Sequence, residues 1–139
     1  MLSNLAATIS AGDCDVLVVH AAQNSRDTLR YYGIENLPSL LDVAYQKSAI
    51  AQSVKSTKYG FSMAKLLPKN QKTTPPNSHA DMRLASIFTN LSGLFEVVLI
   101  DGALSKDHLL PLDALNAHEI LIQLNRDPES IKQGYVLIK

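Results

Sequence analysis

Asp101 and His20 are the residues best placed to do chemistry. Each ends a short apolar run: Val97-Val98-Leu99-Ile100 stops at Asp101, and Val16-Leu17-Val18-Val19 stops at His20. Short, β-branched runs of this kind read as buried strands of a parallel sheet. In open α/β sheets, ligands gather at the C-terminal ends of the strands. A carboxylate there suits a hard cation or a polarised water, and an imidazole suits proton transfer. Both residues also have a plain structural use. A strand-end carboxylate caps nearby backbone N–H groups, and a lone histidine at a strand end is more often a hydrogen-bonded part of the fold.

Other chemistry-bearing residues are less well arranged. Ser105, Asp107 and His108 lie in one short segment without a G-x-S-x-G elbow, whereas a hydrolytic triad needs partners brought together by the fold. His79 and His118 lack H-x-x-x-H spacing, and with a single cysteine there is no structural zinc pattern. Cys14 lies between Asp13 and Asp15, a setting that does not activate a thiol. Tyr31 and Tyr32, with Arg26 and Arg30 just before them, offer an aromatic and cationic contact surface or, more simply, partly buried rings.

Composition sets the outer bounds. The chain has 139 residues, 46% of them apolar and 19% charged, which suits one domain with a single core. Thirteen basic residues balance thirteen acidic ones, so bulk attraction to nucleic acid is not indicated. The charge is unevenly placed, however. No acid falls between Asp42 and Asp81, while Lys47, Lys55, Lys58, Lys65, Lys69 and Lys72 all do. These lysines read as a solvated face. The alternative is a basic surface for an acidic partner, a membrane surface or, as the weakest reading, a nucleic acid. No run is long enough to span a membrane, Met1 to Leu5 do not read as a secretory signal, and the lone cysteine fits a reducing, cytoplasmic setting.

The elements that must position these residues follow from periodicity and punctuation. Helices are expected over 2–11, 27–32, 38–44 and 49–54, the third opened by Pro38. Weak alternation predicts a strand over 60–66, and Pro68 to Pro76 is a loop. Ser78 and Asp81 have capping-box spacing, and Leu84, Ile87, Phe88 and Leu91 give one helix an apolar stripe as far as about Gly93. A helix over 109–116 and a strand over 119–124 come next. Asp127-Pro128 opens a last helix with Ile131, Tyr135 and Ile138 on its apolar face. Strands alternating with helices predict an α/β fold: a mainly parallel sheet with helices on both faces.

This order resembles the MinD/ParA family of deviant-Walker P-loop ATPases. The resemblance covers nearly the whole chain but only the middle of the family's domain. Residues 3–12 resemble the helix after the family's phosphate loop, Asp15 to Val19 its second strand, and Glu96 to Asp101 its Walker B strand, whose aspartate helps hold Mg²⁺. Glu119 to Ile122, Asp127 to Ile131 and Tyr135 to Lys139 are similar to the closing strand, loop and helix of the flagellar-number regulators (FlhG/FleN) within that family.

The departures bear on function. No G-x-x-x-x-G-K-[ST] segment occurs in the sequence, and the resemblance would place the family's phosphate loop and first strand just before Met1. Where the family's second strand runs into Asp-x-Asp, this chain has His20 and Ala22. A neutral imidazole is a poor ligand for Mg²⁺, and a methyl group cannot polarise water. The resemblance therefore implies that Asp101 and His20 are relics of a nucleotide and metal site. No cofactor is expected, ATP and Mg²⁺ entering only if a phosphate loop lies upstream. The expected role is a non-hydrolysing regulatory or scaffold module that binds a protein partner or itself in placing a flagellum, pilus or secretion system. The rival readings are a piece of an active ATPase and a lysine-dependent nucleic-acid-binding module.

Overall fold

A computed structural model of the chain describes residues 2–21, 26–68, 78–101, 127–129 and 132, the side chains of Arg26, Ser78 and Asp81 excepted. The elements run α1 (Leu2–Ser10), β1 (Val16–His20), α2 (Arg26–Tyr31), α3 (Leu40–Ala44), α4 (Ile50–Ser53), β2 (Val54–Ser56), β3 (Ser62–Lys65), α5 (Ser78–Leu94) and β4 (Val97–Asp101). The strands form one sheet in the order β2-β3-β1-β4. β1 pairs in parallel with both β3 and β4, and β2 pairs antiparallel with β3.

β1 is the sheet's axis, and all five of its residues are buried. Successive side chains point to opposite faces. Leu17 and Val19 join Ala64, Val98 and Ile100 against α3 and α5, through Leu40, Leu41, Leu84, Phe88 and Leu91. Val16 and Val18 join Met63, Val97 and Leu99 against Ala6 of α1, Ile34 and Phe61. The apolar runs are continuous because both faces of the sheet are covered.

Local signals set the helix limits. Ser39 caps α3 in a capping box: its Oγ accepts from the Asp42 N–H at 3.0 Å, and an Asp42 oxygen accepts from the Ser39 N–H at 2.9 Å. Pro38 therefore lies one residue ahead of the cap rather than in the first turn. α1 ends in a turn with Asp13 at φ 63°. α5 spans seventeen residues and buries Leu84, Ile87, Phe88 and Leu91, the expected stripe.

Two expectations need correction. Val54 does not close a helix but begins β2, which reverses tightly into β3. The Thr57 N–H donates to the Phe61 carbonyl at 2.9 Å to close the turn. The strand expected over 60–66 is shorter, because Gly60, at φ 90°, and Phe61 belong to that turn. Pro128 and Glu129 are helical, as the Asp127-Pro128 pair predicts. The helix expected over 109–116, the strand over 119–124, most of the final helix and the Ser78–Asp81 cap fall outside the described residues and side chains. No helix among the described residues is long and apolar enough to cross a membrane.

Candidate functional site

The parallel register brings three ionisable residues level at the C-terminal edge of the sheet. His20 of β1 is paired with Lys65 of β3 on one side and Asp101 of β4 on the other. All three fall at the parity of Val16, Val18, Met63 and Leu99, and so lie on the α1 face. The backbone closes this edge. The His20 carbonyl accepts from the Leu66 N–H and the Asp101 carbonyl from the Ala21 N–H, both at 2.8 Å.

His20 is 3% exposed, and its Nδ1 lies 3.0 Å from Oδ2 of Asp101. An ionised carboxylate only accepts, so Nδ1 carries the proton and donates it. Asp101 is about half exposed. The hydrogen bond from His20 holds the Asp101 carboxyl below the usual carboxylate range against the opposing effect of burial. The pair thus brings together the two site residues named from the sequence, one Asp101 oxygen accepting from the imidazole. Among the described residues, no three His, Cys, Asp or Glu side chains are grouped to hold a metal ion. Of the described strand-end side chains at this edge, Asp101 alone offers the oxygen donors that Mg²⁺ prefers.

Lys65 corrects the expected basic surface. It is 5% exposed, and its Nζ donates to the Glu35 carbonyl at 2.8 Å. The cause is its place on β3, whose last three residues are buried between helical layers. Lys47, Lys55 and Lys58 are exposed. Lys47 lies 5.6 Å from the centre of the Tyr45 ring, Lys55 donates to the Gly33 carbonyl at 3.2 Å, and Lys58 lies 5.2 Å from the centre of the Tyr59 ring. Lys69 and Lys72 fall outside the described residues.

The tyrosines gather partners that spacing did not reveal. Tyr31 contacts Tyr32 edge-on at 4.9 Å between ring centres, Tyr32 meets both Tyr59 and Phe61, and Tyr59 stacks on Phe61 at 6.3 Å. The Tyr31 and Tyr59 hydroxyls are hydrogen-bonded to each other. That bond raises the Tyr31 phenol and lowers that of Tyr59, with Lys58 adding to the latter. Spacing carries no signal for this joining, since 28 positions separate Tyr31 from Tyr59.

No family model and no curated protein matches this chain. Solved structures do. The kinase domain of the Escherichia coli tyrosine kinase ETK superposes with a TM-score of 0.56 at 22% identity, over 71% of this chain and 38% of that one. Cobyrinic acid a,c-diamide synthase from Mycobacterium smegmatis superposes with a TM-score of 0.63 at 20% identity, over 81% of this chain and 48% of that one. It has been solved with bound ADP and magnesium and with a bound ATP analogue and magnesium. This chain therefore spans less than half the length of either protein. At these identities the likeness concerns architecture, a P-loop fold. The mostly parallel sheet, its helical layers and these neighbours give the chain an α/β fold of the P-loop NTPase kind.

Proposed function

We propose that this chain is a non-hydrolysing relative of the MinD/ParA ATPases. It acts as a regulatory or scaffold module that binds a protein partner or itself. The sequence resemblance of residues 119–139 to the flagellar-number regulators is the ground for a role in placing or assembling a flagellum, pilus or secretion system.

The His20–Asp101 pair carries the reading. Phosphoryl transfer depends on oxygens that hold Mg²⁺ and orient a nucleophile. At this sheet edge the strand ends supply a lysine, a histidine and one aspartate, and the histidine engages the aspartate. An imidazole thus engages the one strand-end carboxylate that the described residues offer for metal chemistry. A phosphate loop supplied from elsewhere would not restore the carboxylates missing at His20 and Ala22.

Thermal unfolding of the purified chain with ATP and Mg²⁺, and separately with ADP, tests this. A ligand at a hundred times its Kd adds about 2.7 kcal/mol to stability. The expected result is an unchanged melting temperature and no phosphate release. A clear upward shift with ATP and Mg²⁺, or steady turnover abolished by Asp101→Ala, overturns the proposal.

A further inference from the structure

We propose that the exposed face formed by Tyr31 and Tyr59, rimmed by Arg30, Lys55 and Lys58, docks an acidic peptide segment of a partner protein. This deepens the scaffold reading above and rests on it, by giving the module a contact face and its partner a chemistry.

The face is built in advance of any partner. Lys58, Tyr59 and Gly60 sit on a turn closed by Thr57, whose N–H and Oγ1 both donate to the Phe61 carbonyl, at 2.9 and 2.7 Å. Ser10 of α1 pins the same turn, its Oγ donating to the Gly60 carbonyl at 2.8 Å. Buried Phe61 and half-buried Tyr32 support the rings from below, yet Tyr31 remains 66% and Tyr59 39% exposed. Rigid, half-uncovered tyrosines beside an arginine are the residue types that dominate binding energy at protein interfaces, since little side-chain freedom is left to lose.

Charge selects the occupant. Arg30 stands in the last turn of α2, Lys55 reaches the carbonyl of Gly33 just beyond it, and Lys58 lies over Tyr59. Against these three bases stand two acids, Asp27, one turn before Tyr31 on α2, and Glu35, just beyond Gly33, and no acid occurs between Asp42 and Asp81. The rim is therefore net positive, which favours carboxylates in the partner and disfavours a basic one. A single-stranded nucleic acid fits less well. Base stacking needs open ring faces along a track. Here Tyr59 is already stacked on Phe61 and approached by Lys58, and Tyr31 is held edge-on to Tyr32.

The test is selection of a phage-displayed random peptide library on the full chain, with counter-selection on the Tyr31→Ala/Tyr59→Ala variant. Enriched peptides are then assayed by fluorescence anisotropy. The expected outcome is enrichment of acidic peptides. The double tyrosine variant, with its melting temperature retained, should bind them about tenfold more weakly, a loss of about 1.4 kcal/mol. Lys55→Glu/Lys58→Glu should reverse the preference toward basic peptides. Amide shift changes should centre on residues 30–33 and 57–61. The proposal is overturned by an empty selection, by enriched peptides without excess acid, by shift changes elsewhere, or by an oligo-dT strand that binds this face more tightly than the peptides. A failed selection with ATP still silent would remove this face and leave the scaffold reading. Nucleotide binding with peptide docking intact would do the reverse.

Discussion

Nδ1 of His20 lies 3.0 Å from Oδ2 of Asp101, although 81 positions separate the two in the chain. Parallel pairing of β1 with β4 makes them neighbours. Replacing Asp101 by alanine removes the acceptor from a buried ring nitrogen, a loss of about 1–3 kcal/mol. Asparagine keeps an acceptor but no charge, and should cost less. Urea denaturation of the two variants checks the order, and equal stability of Asp101→Ala and the parent chain would refute it.

Stability should also follow the charge of Asp101. Its carboxyl titrates lower in the folded chain than in the unfolded one, because His20 donates to it. The unfolded state then binds the proton more readily. The contribution is complete above the ordinary carboxylate range and disappears as the pH falls through that range to the lower folded value. Melting temperatures between neutral and acid pH should fall more steeply for the parent than for Asp101→Asn.

The reciprocal bonds between Ser39 and Asp42 hold the start of α3, whose Leu40 and Leu41 enter the core. Ser39→Ala should cost about 0.5–2 kcal/mol. Ser39→Gly should cost only a few tenths. Chemical denaturation of the pair separates loss of the cap from general disturbance.

Two glycines should respond in opposite directions. Gly60 has φ 90°, and a Cβ there would lie 3.0 Å from Ser10 Oγ. Gly60→Ala should therefore destabilise by about 1–2 kcal/mol, through left-handed strain. Gly93 lies in α5 with nothing within 4 Å of an added Cβ, so Gly93→Ala should stabilise by up to about 1 kcal/mol. Thermal melts of the two variants are sufficient, and a shared sign would contradict the assignment.

Leu17 is fully buried on the central strand between β3 and β4. Leu17→Ala should cost about 2–5 kcal/mol, the range depending on how far the surrounding layers relax. Leu5→Ala, at a side chain 38% exposed on α1, should cost much less by the same denaturation assay.

The strands β1 and β4 and the helix α5 were legible in the sequence because each is announced by its own residues: an unbroken apolar run in the first two, a stripe at i, i+3, i+4 and i+7 in the third. β2 was not. Val54-Lys55-Ser56 is too short to show a period, and its pairing is settled by the turn at Thr57. Strand ends at His20 and Asp101 were readable, but their hydrogen bond was not, since an apolar run does not name its neighbour. Lys65 shows the same limit. Its charge suggested the surface, while its register beside His20 and the carbonyl of Glu35 draw it inward. Tyr59 was invisible as a partner of Tyr31 because their contact is made by tertiary packing alone.

The short strand β2 has a consequence for assembly. Among the described residues, one border of the sheet is finished by three residues running against their neighbour, two of them exposed and one a lysine. A foreign β-segment adding at that border would gain few ladder bonds while surrendering its own conformational freedom, and would meet an ammonium group on arrival. Edge-to-edge polymerisation from that side is thereby discouraged by the architecture itself.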